Sequence, residues 1–462
     1  MRITNSMITD NAAGNINGVK TLVDKTNTQM TTQKKISRPS QDPVIAIRSL
    51  RLQTSLNKIN QYYEKNIPDA ESWMDVTETA LSNIKSIVTD MRTLCVNGAT
   101  GTLTQSDRNT ILSQLKALQE QVYHEGNADY AGRTVFTGYR TDKTLTFMEE
   151  DKNTSYNITQ VMSSDEIYEK RFYNNEVTVP SDGSEITANY NASTGVLSED
   201  AMEETRYNVL RLAYDDIDHL QKLTITGLPS TWTGTLTEYA DETAWANAAG
   251  SKSVGDNDAV FIKETGELIM GNTLSSSLMT NKATIQFDYA KTGFHNGELR
   301  PEYYFDCTQL TDESGAGVGN FDPSTMTADD VYNGNGKGIV FDKIDDNGNL
   351  VTYDINYTVA ANQELTVNME AGECIDHNIY QDMGDMIDAV EKSIAAHEKL
   401  EKLTAMKSMD KYASDTYQGA LDKWIELAQR EADYYDDNIS KLYSSELGNV
   451  DSYLEDINLS IT

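Results

Sequence analysis

"ESWMDVTETALSNIKSIVTDMRTL", residues 71–94, places Trp73, Thr77, Ala80, Ile84, Ile87, Met91 and Leu94 at alternating steps of four and three. That is the 3.5-residue period of a coiled-coil seam, whereas a half-buried strand would alternate every second residue. A helix of this kind has to bury its seam against other helices. Gly98 and Gly101 end the run, and Thr104 with Asp107 forms a capping-box pattern. Ile111, Leu115, Leu118 and Val122 then carry a second stripe, expected antiparallel to the first.

Upstream, Ile3, Met7, Ile16, Val19 and Val23, with Met30 beyond, form a thinner stripe among Asn, Thr, Gln and Lys. Gly14 and Gly18 weaken it, so the arm is expected to be disordered or marginally helical until it meets a partner. "SRPSQDP", residues 37–43, interrupts the pattern; Asp42 and Pro43 are a good N-cap and first-turn pair for a new helix. That helix is striped by Ile45, Leu52, Leu56, Ile59 and Tyr63. Pro68 removes a backbone donor and crowds the carbonyl of Glu64, which predicts a kink or a fresh start there.

From about 143 to 375 the pattern changes to short alternating runs divided by turn residues. Hairpins are expected at 259–270 and at 338–357, the latter turning at Asn347 and Gly348. Further strands are expected at 223–226, 284–289 and 302–305, with a small helix near 201–222. Helical spacing returns with Met383, Ile387, Val390 and Ile394, and again with Leu447, Val450, Leu454, Ile457 and Ile461. The last stripe stops at Thr462 without a cap, which reads as a fragment lacking its natural C-terminus.

The expected fold class is therefore α + β multidomain: a long helical coiled-coil bundle formed by N- and C-terminal segments, with a central all-β insert. Four parts are expected: an arm and connector at 1–42, the N-terminal part of the helical domain at 43–142, the β insert at 143–375 and the C-terminal helical part at 376–462. Residues 1–60 hold nine basic and three acidic side chains, about +6, while the whole chain has a formal charge of -34. The acidic body argues against nucleic acid or an anionic membrane as the main partner.

Catalytic patterns are missing from the sequence. Five histidines are scattered without metal-ligand spacing, and Cys95, Cys307 and Cys374 lie far apart with no CxxC. The calcium-loop reading of "DKIDDNGNL" fails because Lys343 stands where the first carboxylate ligand is needed. No cofactor, metal or catalytic residue is therefore expected, nor an enzyme. No apolar run reaches 18 residues, so no membrane insertion is expected.

In chain order, "MRITNSM", "KKISRPSQDPVIAIRSLRL", "ESWMDVTETALSNI" and "GRTVFTGYRTD" resemble successive motifs of the flagellin superfamily, most closely its hook-filament junction branch. "QELTVNMEAGECIDHNI", 363–379, with the helix from 381 to 394 resembles the return from that family's β domain. The resemblance implies a non-enzymatic adaptor of the bacterial flagellum that joins the hook side to the filament. It also implies export by the flagellar type III apparatus without a cleaved signal. The implied partners are further copies in a ring or tubular layer, a neighbouring hook-associated protein, flagellin and an export chaperone.

On this resemblance Ile3, Met7, Ile16, Val19 and Val23 supply the polymer-contact seam, and Arg38, Pro39, Asp42 and Pro43 the connector between inner and outer coils. The coiled-coil seam is Trp73, Ala80, Ile84, Ile87, Met91, Leu94, Leu447, Val450, Leu454, Ile457 and Ile461. The filament subunit itself is the alternative, and a secreted adhesin or a hydrolase on the β insert a more distant one.

Overall fold

A computed structural model describes residues 4–100, 103–198, 203–249, 251–319, 338–345 and 348–461. The chain divides into two compact units: Met1–Glu71 with Asn356–Thr366, and Ser72–Ile355 with Val367–Thr462. Long helices at both ends and a central region of β-sheet make up the α + β fold.

In the first unit, α1 spans Asn5–Thr32 and α2 spans Pro43–Gln61. Gln33 ends α1 in the left-handed conformation, φ 55°. The side chain of Asp42 accepts from the Ile45 amide at 3.2 Å, with Pro43 in the first turn, so α2 starts where the sequence places it. It does not end at Pro68. A five-residue π-helix, Tyr62–Asn66, leads directly into α3, Ile67–Gly98, and the Ile67 amide bonds back to the Tyr62 carbonyl. A π turn widens the backbone by one residue, and this gives the proline ring room without a fresh helix start. Packed on that turn is a hairpin, Asn356–Ala360 paired with Gln363–Thr366.

The second unit holds a helical bundle: the Ser72–Gly98 part of α3, then α4 (Gln105–Gly126), α5 (Asn378–Lys407) and α6 (Asp415–Ile461). Trp73, Ile84 and Met91 are 0% exposed, and Thr77, Ala80, Ile87 and Leu94 are buried with them. So are Leu81, Val88 and Cys95, a second row at seven-residue spacing. Two rows are needed because α3 packs on more than one neighbour, which a single-seam reading does not anticipate. On α6 the buried row is Tyr435, Ile439, Tyr443, Glu446, Val450, Tyr453 and Ile457, while Leu447, Leu454 and Ile461 are half-buried at its flank.

Polar contacts set the helix order. Arg92 Nε donates to Asp451 Oδ1 at 2.6 Å, tying α3 to α6. On α6, Asp436 accepts from Arg108 of α4 and from Ser393 of α5, each at 2.6 Å, and lies 3.1 Å from His397 Nε2.

The insert forms two five-stranded sheets. One runs, edge to edge, Ile339–Phe341, Asp306–Thr311, Asp151–Ser163, Thr284–Phe294, His219–Thr226, with every neighbour antiparallel. The other runs Tyr168–Asn174, Glu203–Arg211, Glu267–Met270, Ala259–Ile262, Leu236–Tyr239, its last pair parallel. Phe172, Val209, Trp245, Val260, Ile262 and Ile269 make the core of this second sheet.

The 259–270 hairpin forms as expected, with Ala259 opposite Met270. Three local expectations are corrected. Residues 203–211 and 219–222 are strands, not a helix, because Thr205, Tyr207 and Val209 alternate at period two, and the second runs on into the strand expected at 223–226. Residues 301–303 form a 3-10 turn opened by Pro301 and the strand starts at Asp306. Residues 339–341 pair with Cys307–Gln309 and not with the segment beyond Gly348, where a single bridge, Ile344 with Leu350, remains; Asn347 lies outside the described residues. Short helices at Glu242–Ala249 and Asn272–Asn281 also belong to the insert.

Candidate assembly surface

Helix α1 is 28 residues long and buries none of its side chains. On a 3.6-residue helix Ile8, Ile16, Val19, Leu22, Val23 and Met30 fall on one side, with Met7 about a quarter turn away. All seven are exposed, from 58% for Ile8 to 76% for Met30. Of the residues read from the sequence, Met7, Ile16, Val19 and Val23 lie on this helix, and Ile3 lies outside the described residues. Ile8 and Leu22 belong to the same broad face, which the thinner stripe read from the sequence covers only in part.

Such a helix has no core of its own. An exposed apolar side chain of this size forgoes about 1.5–3 kcal/mol of burial, and an isolated helix of weak propensity is marginal in water. The threonines add little, since Thr9, Thr21, Thr26, Thr28, Thr31 and Thr32 each bond back to a carbonyl four residues earlier.

The connector is built from local bonds. The Gln41 amide donates to the Arg38 carbonyl at 3.0 Å, and Gln41 Oε1 accepts from the Ser37 amide at 2.9 Å. Pro39 sits inside this turn, and Asp42 and Pro43 open α2 as described. On α2, Leu52, Leu56, Ile59 and Tyr63 of the following turn are exposed and Ile45 is half-buried. Lys20, Lys25, Lys34, Lys35, Arg38, Arg48, Arg51 and Lys58 supply the positive charge around these apolar faces.

Elsewhere the chemistry is quiet. All three cysteines are free and buried. Burial pushes the Cys95 thiol up to about 12 and the other two thiols upward as well, away from nucleophilic reactivity. Among the described residues no group of three His, Cys, Asp or Glu could hold a metal ion, and no helix is long and apolar enough to cross a membrane.

The stretch bearing the exposed helices and the α3 seam matches a known family. Residues 3–141 fit the bacterial flagellin N-terminal helical region. The first third of this chain is flagellin-like. The chain is similar to flagellar hook-associated protein 3 of Salmonella typhimurium LT2, 27% identical over 143 residues, or 31% of this chain and 45% of the relative. The protein of the same name from Escherichia coli K12 is 29% identical over 123 residues, 26% of this chain and 38% of the relative. The matched stretch thus spans less than half the length of either relative. The crystal structure of flagellar hook-associated protein 3 from Legionella pneumophila aligns over 88% of this chain and 94% of its own at 9% identity; its TM-score of 0.24 carries no argument.

Proposed function

We propose that this chain is a structural adaptor subunit of the bacterial flagellum, joining the hook side to the filament and acting by geometry rather than catalysis. One observation carries the reading: a helix with an exposed apolar stripe and no buried residue lies within the flagellin-like region. A face of that kind is a half-interface, completed when neighbouring copies cover it. Met7, Ile16, Val19 and Val23, with Ile3, form its contact seam, and Arg38, Pro39, Asp42 and Pro43 fix the angle at which the arm leaves α2. The bundle seams hold the body together. Its partners in this reading are sister copies, a neighbouring hook-associated protein, flagellin and an export chaperone, reached through type III export.

The test is a strain lacking the gene. Loss of attached filaments, with flagellin shed into the medium, is the expected result; filaments retained on the cell contradict the adaptor role. Copy number separates this reading from the filament subunit, since a junction layer needs a few copies and a filament thousands.

A further inference from the structure

The α3, α5 and α6 helices gather more carboxyl groups than cations at one level of the bundle, with Glu446 buried, Asp382 and Asp385 half-buried, and the Arg92–Asp451 pair exposed at the edge. Asp382 and Asp385 project from α5, Glu446 and Asp451 from α6, and Arg92 from α3, while Arg211 reaches in from the strand Glu203–Arg211. The two arginines are committed elsewhere. Arg92 pairs with Asp451 at 2.6 Å; Arg211 pairs with Asp385 through Nη1 and donates through Nη2 to the Gln381 carbonyl at 3.0 Å.

Asp382 and Glu446 are left facing each other, and neither forms an ion pair among the described residues. They are joined instead by neutral donors. Asn449 Nδ2 donates to Glu446 Oε2 at 3.0 Å and to Asp382 Oδ2 at 3.3 Å, and Tyr453 Oη donates to the same Asp382 oxygen at 2.6 Å. The remaining neighbours bring no positive charge: Cys95 on α3, in contact with Met386 at 3.4 Å, is a neutral thiol, and the Tyr443 hydroxyl donates to the Met386 carbonyl. Beyond Arg211, Lys170 is occupied by Glu267 at 2.5 Å, with the Tyr168 hydroxyl on the same carboxylate.

We propose that Asp382 and Glu446 form a proton-held latch between α5 and α6 that opens under alkaline conditions. Two carboxylates bridged by one amide repel each other unless a proton lies between them. With one proton bound, the Glu446 carboxyl donates to Asp382 and the helix pair is closed by a hydrogen bond. Consistent with this geometry, burial and then Asp382 push Glu446 up to about 9, and burial raises Asp382.

The sign follows from linkage. A carboxyl raised in the folded chain holds a proton that the unfolded chain has released, so its contribution is full below the ordinary carboxylate range. It is lost as the pH rises toward 9. The latch stands apart from the assembly reading, since it acts within one chain.

The test is urea unfolding of the full chain, followed by helical circular dichroism from pH 6 to 10, for wild type and Glu446→Gln. One retained proton makes the wild-type unfolding constant rise about tenfold per pH unit from pH 6 to about 8, levelling off near 9, relative to Glu446→Gln, whose amide donates to Asp382 at every pH. Parallel pH profiles for the two proteins overturn the latch. Asp382→Asn serves where Glu446→Gln does not fold, with the same two outcomes. Infrared titration of the carboxyls is the independent readout: a protonated carboxyl band at pH 7.5 that is present in wild type and lost in Glu446→Gln supports the latch, and the same band in both, or none in wild type, contradicts it.

Discussion

Asn66 donates its side-chain amide to the carbonyl of Thr358, 2.7 Å away, although 292 residues of chain separate them. The contact clips the Asn356–Thr366 hairpin onto the π turn that lets the helix pass Pro68. A π turn is a costly local conformation that persists where neighbours hold it. Asn66→Ala is therefore expected to speed amide exchange at 62–67 by about fivefold, the equivalent of one hydrogen bond of roughly 1 kcal/mol. Exchange in the bundle, at 84–95, is expected to stay unchanged. Exchange mass spectrometry of the free chain checks both.

Gly98 closes α3 against Tyr443 of α6. A Cβ built there would stand 2.3 Å from the tyrosine ring, which is fully buried and has nowhere to move. Gly98→Ala is expected to destabilise the chain by about 1–3 kcal/mol, read as a lowered urea midpoint. The open site at Gly448, with nothing near its Cβ, supplies the control: Gly448→Ala is expected to be neutral or stabilising by up to about 1 kcal/mol.

Acid acts on Glu242. Burial alone would raise its carboxyl, but Lys392, Lys170 and Lys252 outweigh burial and hold it at about 2. Lys252 Nζ lies 2.9 Å from Glu242 Oε2. A carboxyl lowered in the folded state stabilises above its ordinary range and loses that contribution as the pH falls from about 4.5 toward 2. Glu242→Gln is expected to flatten the acid limb of the stability curve, by on the order of 2–3 kcal/mol. Denaturant titrations at pH 6 and pH 3 measure the difference.

The arm and the seam should respond oppositely to substitution. Ile84→Ala removes a side chain that is 0% exposed, so the free chain is expected to lose about 2–5 kcal/mol. The triple change Ile16→Ser, Val19→Ser and Val23→Ser touches exposed positions, so the free chain is expected to move by less than about 0.5 kcal/mol per site. Filament attachment, scored in a complemented deletion strain, is expected to fail for the triple variant.

The α3 seam was legible because seven residues, Trp73 to Leu94, keep one period and all are buried. The second row, Leu81, Val88 and Cys95, was not, because a coiled-coil period describes one partner and a bundle helix has several. On α6 the aliphatic residues alone set the reading, so Leu447, Leu454 and Ile461 were placed on the seam while Tyr443, Glu446 and Tyr453 occupy the buried row. Tyrosine and glutamate carry no periodic apolar signal, yet a shared proton and a bridging Asn449 let Glu446 lie inside. The insert's strands were legible where alternation was clean, as at 259–270. They were lost where pairing is non-local, as when Ile339–Phe341 joins residues about thirty positions earlier. The arm's exposure has no sequence signature beyond a thin stripe, since apolar periodicity looks alike whether the partner is the same chain or another.

Amide hydrogen exchange across residues 5–32, compared between the free chain and the assembled layer, tests the central claim most directly. Rapid exchange in the free chain with strong protection after assembly is the predicted result. Equal, strong protection in the free monomer would show that the helix finds its partner within its own chain, and would contradict the account.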